Sequence, residues 1–159
     1  MTYNSITESI LQELKHIVGD KYATTDADKL EIYKTDEEGN SIYFHYPEVV
    51  VFPASTEEVA AVVKLANTCL IPITPRSAGT GLSCGAIPVH HGIVMELERM
   101  NQIIEMDADN LFCIVQPGVR TVDLQQAAKA KGLLYAGDPC SAESCQIGGN
   151  LATNAGGNK

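Results

Sequence analysis

Glycines at 79, 81 and 85 punctuate the stretch Pro75-Arg76-Ser77-Ala78-Gly79-Thr80-Gly81-Leu82-Ser83-Cys84-Gly85-Ala86, eight of whose twelve residues are glycine, alanine, serine or threonine. Glycine reaches positive φ at no steric cost, so successive N–H groups can turn inward and form a concavity for anionic oxygens. A diphosphate suits such a loop. Gly79-x-Gly81-x-x-Cys84 lacks the last glycine of the dinucleotide fingerprint, and no Gly-Lys-Ser/Thr closes a P-loop, which sets aside a nicotinamide Rossmann domain and an NTPase. An ordinary glycine-rich connection between strands would have the same composition, so the loop alone leaves both readings open.

A second stretch runs from Asp138-Pro139-Cys140-Ser141-Ala142-Glu143-Ser144-Cys145-Gln146-Ile147-Gly148-Gly149-Asn150 to Leu151-Ala152-Thr153-Asn154-Ala155-Gly156-Gly157. Two Gly-Gly pairs with amides and hydroxyls between them are costly in chain entropy unless a close backbone fit offsets the cost. We read it as a second ligand-facing wall, with Ile147, Leu151 and Ala152 as apolar anchors that a solvated linker would not need.

The remaining reactive side chains carry less. His16 and His45 are isolated and His90-His91 sit in a polar turn, none with Cys or Asp/Glu at ligand spacing, so no catalytic or metal role is assigned to them. Cys140 and Cys145 are five apart, which is not C-x-x-C spacing, and no metal site is expected. Cys145 is expected to pack beside the second wall as a small apolar residue. The five cysteines, at 69, 84, 113, 140 and 145, suit reduced thiols in a cytosolic protein.

The elements that must position these walls follow from periodicity. Ser5-Ile6-Thr7-Glu8 reads as a capping box opening a helix with Ile6, Ile10, Leu14 and Ile17 on one face and Gly19 as its stop. Asp26 to Tyr33 predicts a short second helix, and Thr35 to Asn40 a polar turn with no visible chemistry. Val49 to Phe52 predicts a strand, Ser55 caps a helix presenting Val59, Val62, Val63 and Ala66, and Pro72-Ile73-Thr74 predicts a strand parallel to the first through a βαβ crossover. Ligands gather where such strands end. Further strands are expected at 93–97, 103–107 and 111–115, then a turn at Pro117-Gly118 and a helix with Leu124, Ala127 and Ala128 inward and Gly132 at its end.

At 159 residues the chain suits one compact unit. A net charge of −9 leaves no basic face for nucleic acid or an anionic membrane, so a bound diphosphate must rely on backbone N–H groups. No secretory signal and no transmembrane run is apparent.

The run PRSAGTGLSCGAIP, then ELERMNQIIEMDADN, VQPGV and YAGDPCSAESCQIGGNLATNAGG, resembles the FAD-binding domain of the vanillyl-alcohol oxidase, or PCMH, type. Within that group it is similar to the glycolate oxidase, D-lactate dehydrogenase and D-2-hydroxyglutarate dehydrogenase branch. The resemblance covers roughly residues 46 to 157. It implies an α+β fold, with a βαβ-containing first lobe of short mixed sheet and flanking helices and a truncated second lobe. It further implies an N-terminal helical segment at 1–45 and an FAD-binding domain at 46–159 that is expected to be incomplete at its end. By the same resemblance Arg76, Ser77, Ala78, Gly79, Thr80, Gly81, Leu82 and Ser83 match the loop that wraps the FAD pyrophosphate. Asp138, Pro139, Ser141, Ser144, Gly148 and Gly149 match the stretch lining the flavin and its ribityl chain, with Asn154 in the same set. Ser77 and Cys84 stand where the family commonly has glycine. Thr80 replaces the histidine of relatives that bind flavin covalently, which implies non-covalent FAD.

The complete family enzyme passes hydride from a 2-hydroxy acid to the flavin and then electrons to an acceptor other than a nicotinamide. Its base and carboxylate-binding arginines lie in a later cap domain, so this chain is expected to be the N-terminal portion of a flavin-dependent 2-hydroxyacid dehydrogenase, inactive alone. Ether-lipid synthesis or reduction of an enolpyruvyl sugar is the alternative chemistry on the same FAD wall. A cytoplasmic location, at most peripheral to the inner membrane face, and self-association through exposed apolar surface complete the expectations.

Overall fold

The structure is a computed structural model that describes residues 2–157. Helix α1 (Glu8–Val18) opens it. Its cap is Thr7, not Ser5: the Thr7 side chain accepts the Ile10 N–H, while the Glu48 carboxylate takes the Ile6 N–H at 2.7 Å and holds the lead-in extended. Gly19, at φ 92°, stops the helix as expected. Leu11, Leu14 and Val18 are buried, and Ile6, Ile10 and Ile17 flank them, so the core-facing stripe is rotated by about one residue from the expected one.

Strand β1 (Ala23–Thr24) pairs antiparallel with β2 (Val49–Val51). The short helix α2 (Ala27–Leu30) and a 3-10 turn through Tyr33 lie between them, where the sequence predicts one helix. Ser55 then caps α3 (Thr56–Cys69), which leads to β3 (Ile73–Arg76). Val62 and Ala66 of α3 are buried and Val59 half so, whereas Val63 is exposed, against expectation, because the contact stripe on the sheet is only as wide as the i, i+4 row.

The next strand, β4 (Ile93–Glu96), runs parallel to both β2 and β3 and lies between them, giving the order β1-β2-β4-β3. The crossover through α3 therefore leaves a gap that β4 fills. An all-buried Ile93-Val94-Met95 belongs in the sheet's centre, with both faces covered.

A hairpin of β5 (Ile103–Asp107) and β6 (Phe112–Val115) forms a separate two-stranded sheet, with an irregularity in register between Ile103 and Glu105. Helix α4 (Thr121–Ala130) follows, ending near Gly132 at φ 73°. Leu124 of α4, Val119 and Ile147 are the buried centre of this second lobe, packed on Ile103, Met106, Cys113, Val115 and Tyr135. Ile147 begins α5 (Ile147–Thr153), a helix the sequence reading did not foresee. Two glycines in its first turn hide the helical signal. Leu151 and Ala152, expected as anchors, are exposed, and Ile147 alone of the three is buried. Among the described residues no helix is long and apolar enough to cross a membrane.

Candidate functional site

The first wall begins where β3 ends. Leu97 N–H bonds the Arg76 carbonyl, the last rung of the β3–β4 pairing, and the chain leaves the sheet at Ser77. Gly79 takes φ 69°, and Cys84 takes φ 60°. Of the two residues that stand where the family commonly has glycine, Cys84 thus holds a left-handed backbone, whereas Ser77 is not among the positive-φ residues. From Ser77 to Thr80 the residues are half-buried; Gly81, Leu82 and Ser83 are exposed. A Cβ added at Gly81 or Gly85 would meet nothing within 4 Å, so that backbone faces open space.

The Arg76 side chain points the other way. It is 9% exposed, with Nη1 donating to Thr35 O at 2.7 Å and Nε 3.8 Å from Glu96 Oε2. Glu96 itself is buried on β4, and burial raises its carboxyl to about pKa 8 against the lowering pull of Arg76. At 3.8 Å the Glu96 carboxyl is beyond hydrogen-bond distance of Nε, so the guanidinium is bonded chiefly to carbonyls.

The second wall is built by a nest of backbone bonds. Pro139 O accepts from Ala142 N, and Ser141 O accepts from Ser144 N, Cys145 N and Ser144 Oγ. Asp138 N–H bonds Gly156 O at 2.8 Å, which ties the two ends of the wall to each other, and Asp138 Oδ1 accepts from Gln125 Nε2 at 3.0 Å, which ties the first end to α4. Gly157, at φ 108°, lies against the Asp138 carbonyl, where any Cβ would overlap it. Asn154 is exposed and ends α5 in the left-handed conformation, φ 51°, which asparagine tolerates. Cys145 is buried, as expected of a small apolar residue, with its thiol 3.2 Å from the Thr121 hydroxyl.

Thr121 was not singled out from the sequence, where Pro117 reads only as part of a turn and Asn150 only as a member of the second stretch. Asn150 Nδ2 donates to Thr121 Oγ1 at 2.6 Å, both fully or nearly buried, tying α5 to α4. Gly148 N–H bonds Pro117 O at 2.8 Å and Ile147 N–H bonds Val119 O at 2.9 Å, which moors the start of α5 on the Pro117-Gly118 turn. A buried Thr three residues after Gly118 and a buried Asn directly after Gly149 have no sequence spacing that marks them as partners. Their role emerges only from the packing of two helices.

The two walls meet. A Cβ built on Gly148 would stand 2.7 Å from Pro117 Cβ and 3.1 Å from Ser77 Oγ, and one on Gly149 would stand 3.9 Å from Ser77 Cβ. Ser77, Pro117, Gly148 and Gly149 therefore join the loop after β3 to the first turn of α5. Around that junction the structure offers backbone N–H groups, small hydroxyls and amides, without a free guanidinium or ammonium in the loop. A cradle of bare backbone that side chains would fill fits the phosphates and flat rings of a dinucleotide-like cofactor. Among the described residues, no group of three or more His, Cys, Asp or Glu could hold a metal ion. His45 and His91 lie with ring centroids 6.1 Å apart, and His91 Nδ1 is 2.8 Å from Tyr46 O.

The family described as "FAD binding domain" matches residues 47–159. The chain is 41% identical over 151 residues to D-2-hydroxyglutarate dehydrogenase of Stutzerimonas stutzeri (strain A1501), covering 95% of this chain and 32% of that protein. It is 42% identical over 156 residues to D-lactate dehydrogenase of Anaerostipes hadrus, covering 98% and 32%. Against glycolate oxidase subunit GlcD of Bacillus subtilis (strain 168), identity is 36% over 153 residues, covering 96% and 32%. The chain thus spans about a third of the length of these relatives. Among solved structures, an alkyldihydroxyacetonephosphate synthase superposes with TM-score 0.86 at 23% identity, over 98% of this chain and 33% of that one. p-Cresol methylhydroxylase superposes with TM-score 0.77 at 24% identity, over 92% and 30%. These two establish the shared fold and nothing of chemistry.

Proposed function

The chain belongs to the FAD-binding domain family, and on that premise we propose that it is the FAD-holding portion of a flavin-dependent 2-hydroxyacid dehydrogenase. The observation that carries this is the junction of Ser77 with Gly148 and Gly149, which brings two glycine-rich walls far apart in sequence into one cradle. The backbone from Arg76 through Ser77, Ala78, Gly79, Thr80, Gly81, Leu82 and Ser83 wraps the pyrophosphate. Asp138, Pro139, Ser141, Ser144, Gly148, Gly149 and Asn154 line the flavin and ribityl side. Bound FAD would supply the redox chemistry of alcohol oxidation, and the protein's share would be to bind and orient it and to exclude water.

The D-2-hydroxyglutarate, D-lactate and glycolate names of relatives at 36–42% identity favour a small 2-hydroxy acid as substrate. They outweigh the ether-lipid chemistry suggested by the synthase, whose likeness is one of fold. Specificity belongs to regions the relatives carry beyond this third of their length, as does the electron acceptor's site. Thr80 stands where relatives that bind flavin covalently have histidine, which favours a cofactor held without a covalent bond. Five free cysteines favour a cytoplasmic setting, at most peripheral to the inner membrane face. The chain alone binds FAD and turns over no substrate.

An absorption spectrum of the purified chain after incubation with FAD and ultrafiltration tests this. Retained flavin bands that acid precipitation releases into the supernatant are the expected result. A colourless retentate would overturn binding by this chain, and flavin that stays with the precipitate would overturn the non-covalent reading.

A further inference from the structure

We propose that Arg76 is a positioning residue for the cofactor, holding the phosphate-facing loop in shape from inside the protein by tying both ends of the loop to residues 32–37. The inference rests on the FAD reading above. Three observations carry it. Nη1 donates to Thr35 O at 2.7 Å and to Ala86 O at 3.4 Å, and Nη2 to Ile32 O at 3.4 Å, so one guanidinium joins the first residue of the loop, its last residue and the N-terminal segment. The guanidinium also packs directly under the turn: a Cβ on Gly79 would overlap it, and Gly79 has φ 69°, so glycine there serves the arginine as well as the turn. Independently, Glu37 N–H bonds Gly81 O at 3.2 Å, a second tie between the same two segments.

The fork is held in turn. Tyr33 places its ring 5.4 Å from Arg76 Cζ, and Phe52 packs edge-on against Tyr33. Five donors in a fixed plane suit three carbonyls in different directions, which a lysine ammonium on a flexible stem cannot serve at once. With 9% of its side chain exposed, Arg76 acts on the phosphates through the loop backbone and not by contact. The segment at 32–37, which reads in the sequence as the end of a short helix and the start of a polar turn with no visible chemistry, becomes part of the cofactor site.

The test compares the unsubstituted chain with Arg76→Lys, Arg76→Gln and Arg76→Ala by two readouts: FAD titration followed by flavin fluorescence, and amide hydrogen exchange of the FAD-free protein. Positioning predicts that each substitution raises exchange in the 77–86 and 31–38 segments by about tenfold or more, the scale expected when hydrogen bonds to a charged group are lost. The β2 and α3 amides should stay protected. FAD affinity should fall by about tenfold or more in parallel, with Arg76→Lys no better than intermediate. Affinity lost while exchange at 77–86 stays unchanged, or full retention by Arg76→Lys, would assign a direct charge contact and overturn the proposal. So would unchanged affinity with a loosened loop. If Arg76→Ala fails to fold, Arg76→Lys and Arg76→Gln decide. If the unsubstituted chain binds no FAD, the FAD reading falls by itself, and exchange alone decides whether Arg76 shapes the loop.

Discussion

At Cys84 the backbone imposes a conformation that its side chain resists. A non-glycine residue at φ 60° costs roughly 1–2 kcal/mol, while glycine there returns about 0.4–1 kcal/mol of extra freedom to the unfolded chain. Cys84→Gly should therefore stabilise the chain by up to about 1 kcal/mol in urea titration, since the first effect exceeds the second. Partial burial, with Asp36 and Glu38 nearby, also pushes the thiol's pKa up, which keeps it protonated and slow toward alkylating agents compared with exposed Cys140. Glu96 carries the pH dependence. Its folded-state pKa of about 8 lies above the value of an unfolded carboxyl, so the folded form holds an extra proton. That contribution is fully present below the unfolded pKa and is lost as pH rises through about 8. Thermal stability should fall between mildly acidic pH and pH 9, and Glu96→Gln should flatten the decline; an unaltered slope would assign it elsewhere.

The first turn of α5 makes neighbouring glycines opposite in effect. Alanine at 148 meets Pro117 and Ser77, and such overpacking costs about 1–3 kcal/mol, more than the gain in helix propensity. Alanine at 149 has room, its nearest neighbour being Ser77 Cβ at 3.9 Å, and should stabilise the helix by up to about 1 kcal/mol. The cofactor reading adds a separate expectation: Gly149→Ala raises the melting temperature yet weakens FAD retention, because the added methyl enters the cradle. A variant that is both more stable and equally flavin-retentive would place the cofactor away from α5. Legibility in the sequence divided along the same line. Helices α1, α3 and α4 were readable because their apolar residues recur at helical spacing, and strands β2 to β6 because short apolar, β-branched runs are bounded by turn residues. Helix α5 was not, since its glycines were chosen for approach to Pro117 and Ser77 and carry no periodic signal.

For the molecule as a whole, two small cores do the positioning. The first, of α1, α3 and the four-stranded sheet, aims the loop after β3; the second, of α4, the hairpin and Ile147, aims α5 at it. The hairpin covers its core with one face only. Ile104, Phe112 and Ile114 lie on the exposed side at 61%, 44% and 46%, beside Leu111. Such a patch on a two-stranded sheet favours association. The chain should elute with a concentration-dependent mass in light-scattering chromatography, and Ile114→Lys should restore the monomer; a monomer at all concentrations would sink the idea. By itself the sequence determined most of the local elements, where the two glycine-rich stretches lie, and which family they belong to, because period and motif order are local properties of the chain. Only the tertiary structure decided that β4 separates β2 from β3, that Ser77 meets Gly148, and that the Arg76 guanidinium turns inward to Thr35. Those are contacts across tens of residues, set by which apolar faces can be buried together.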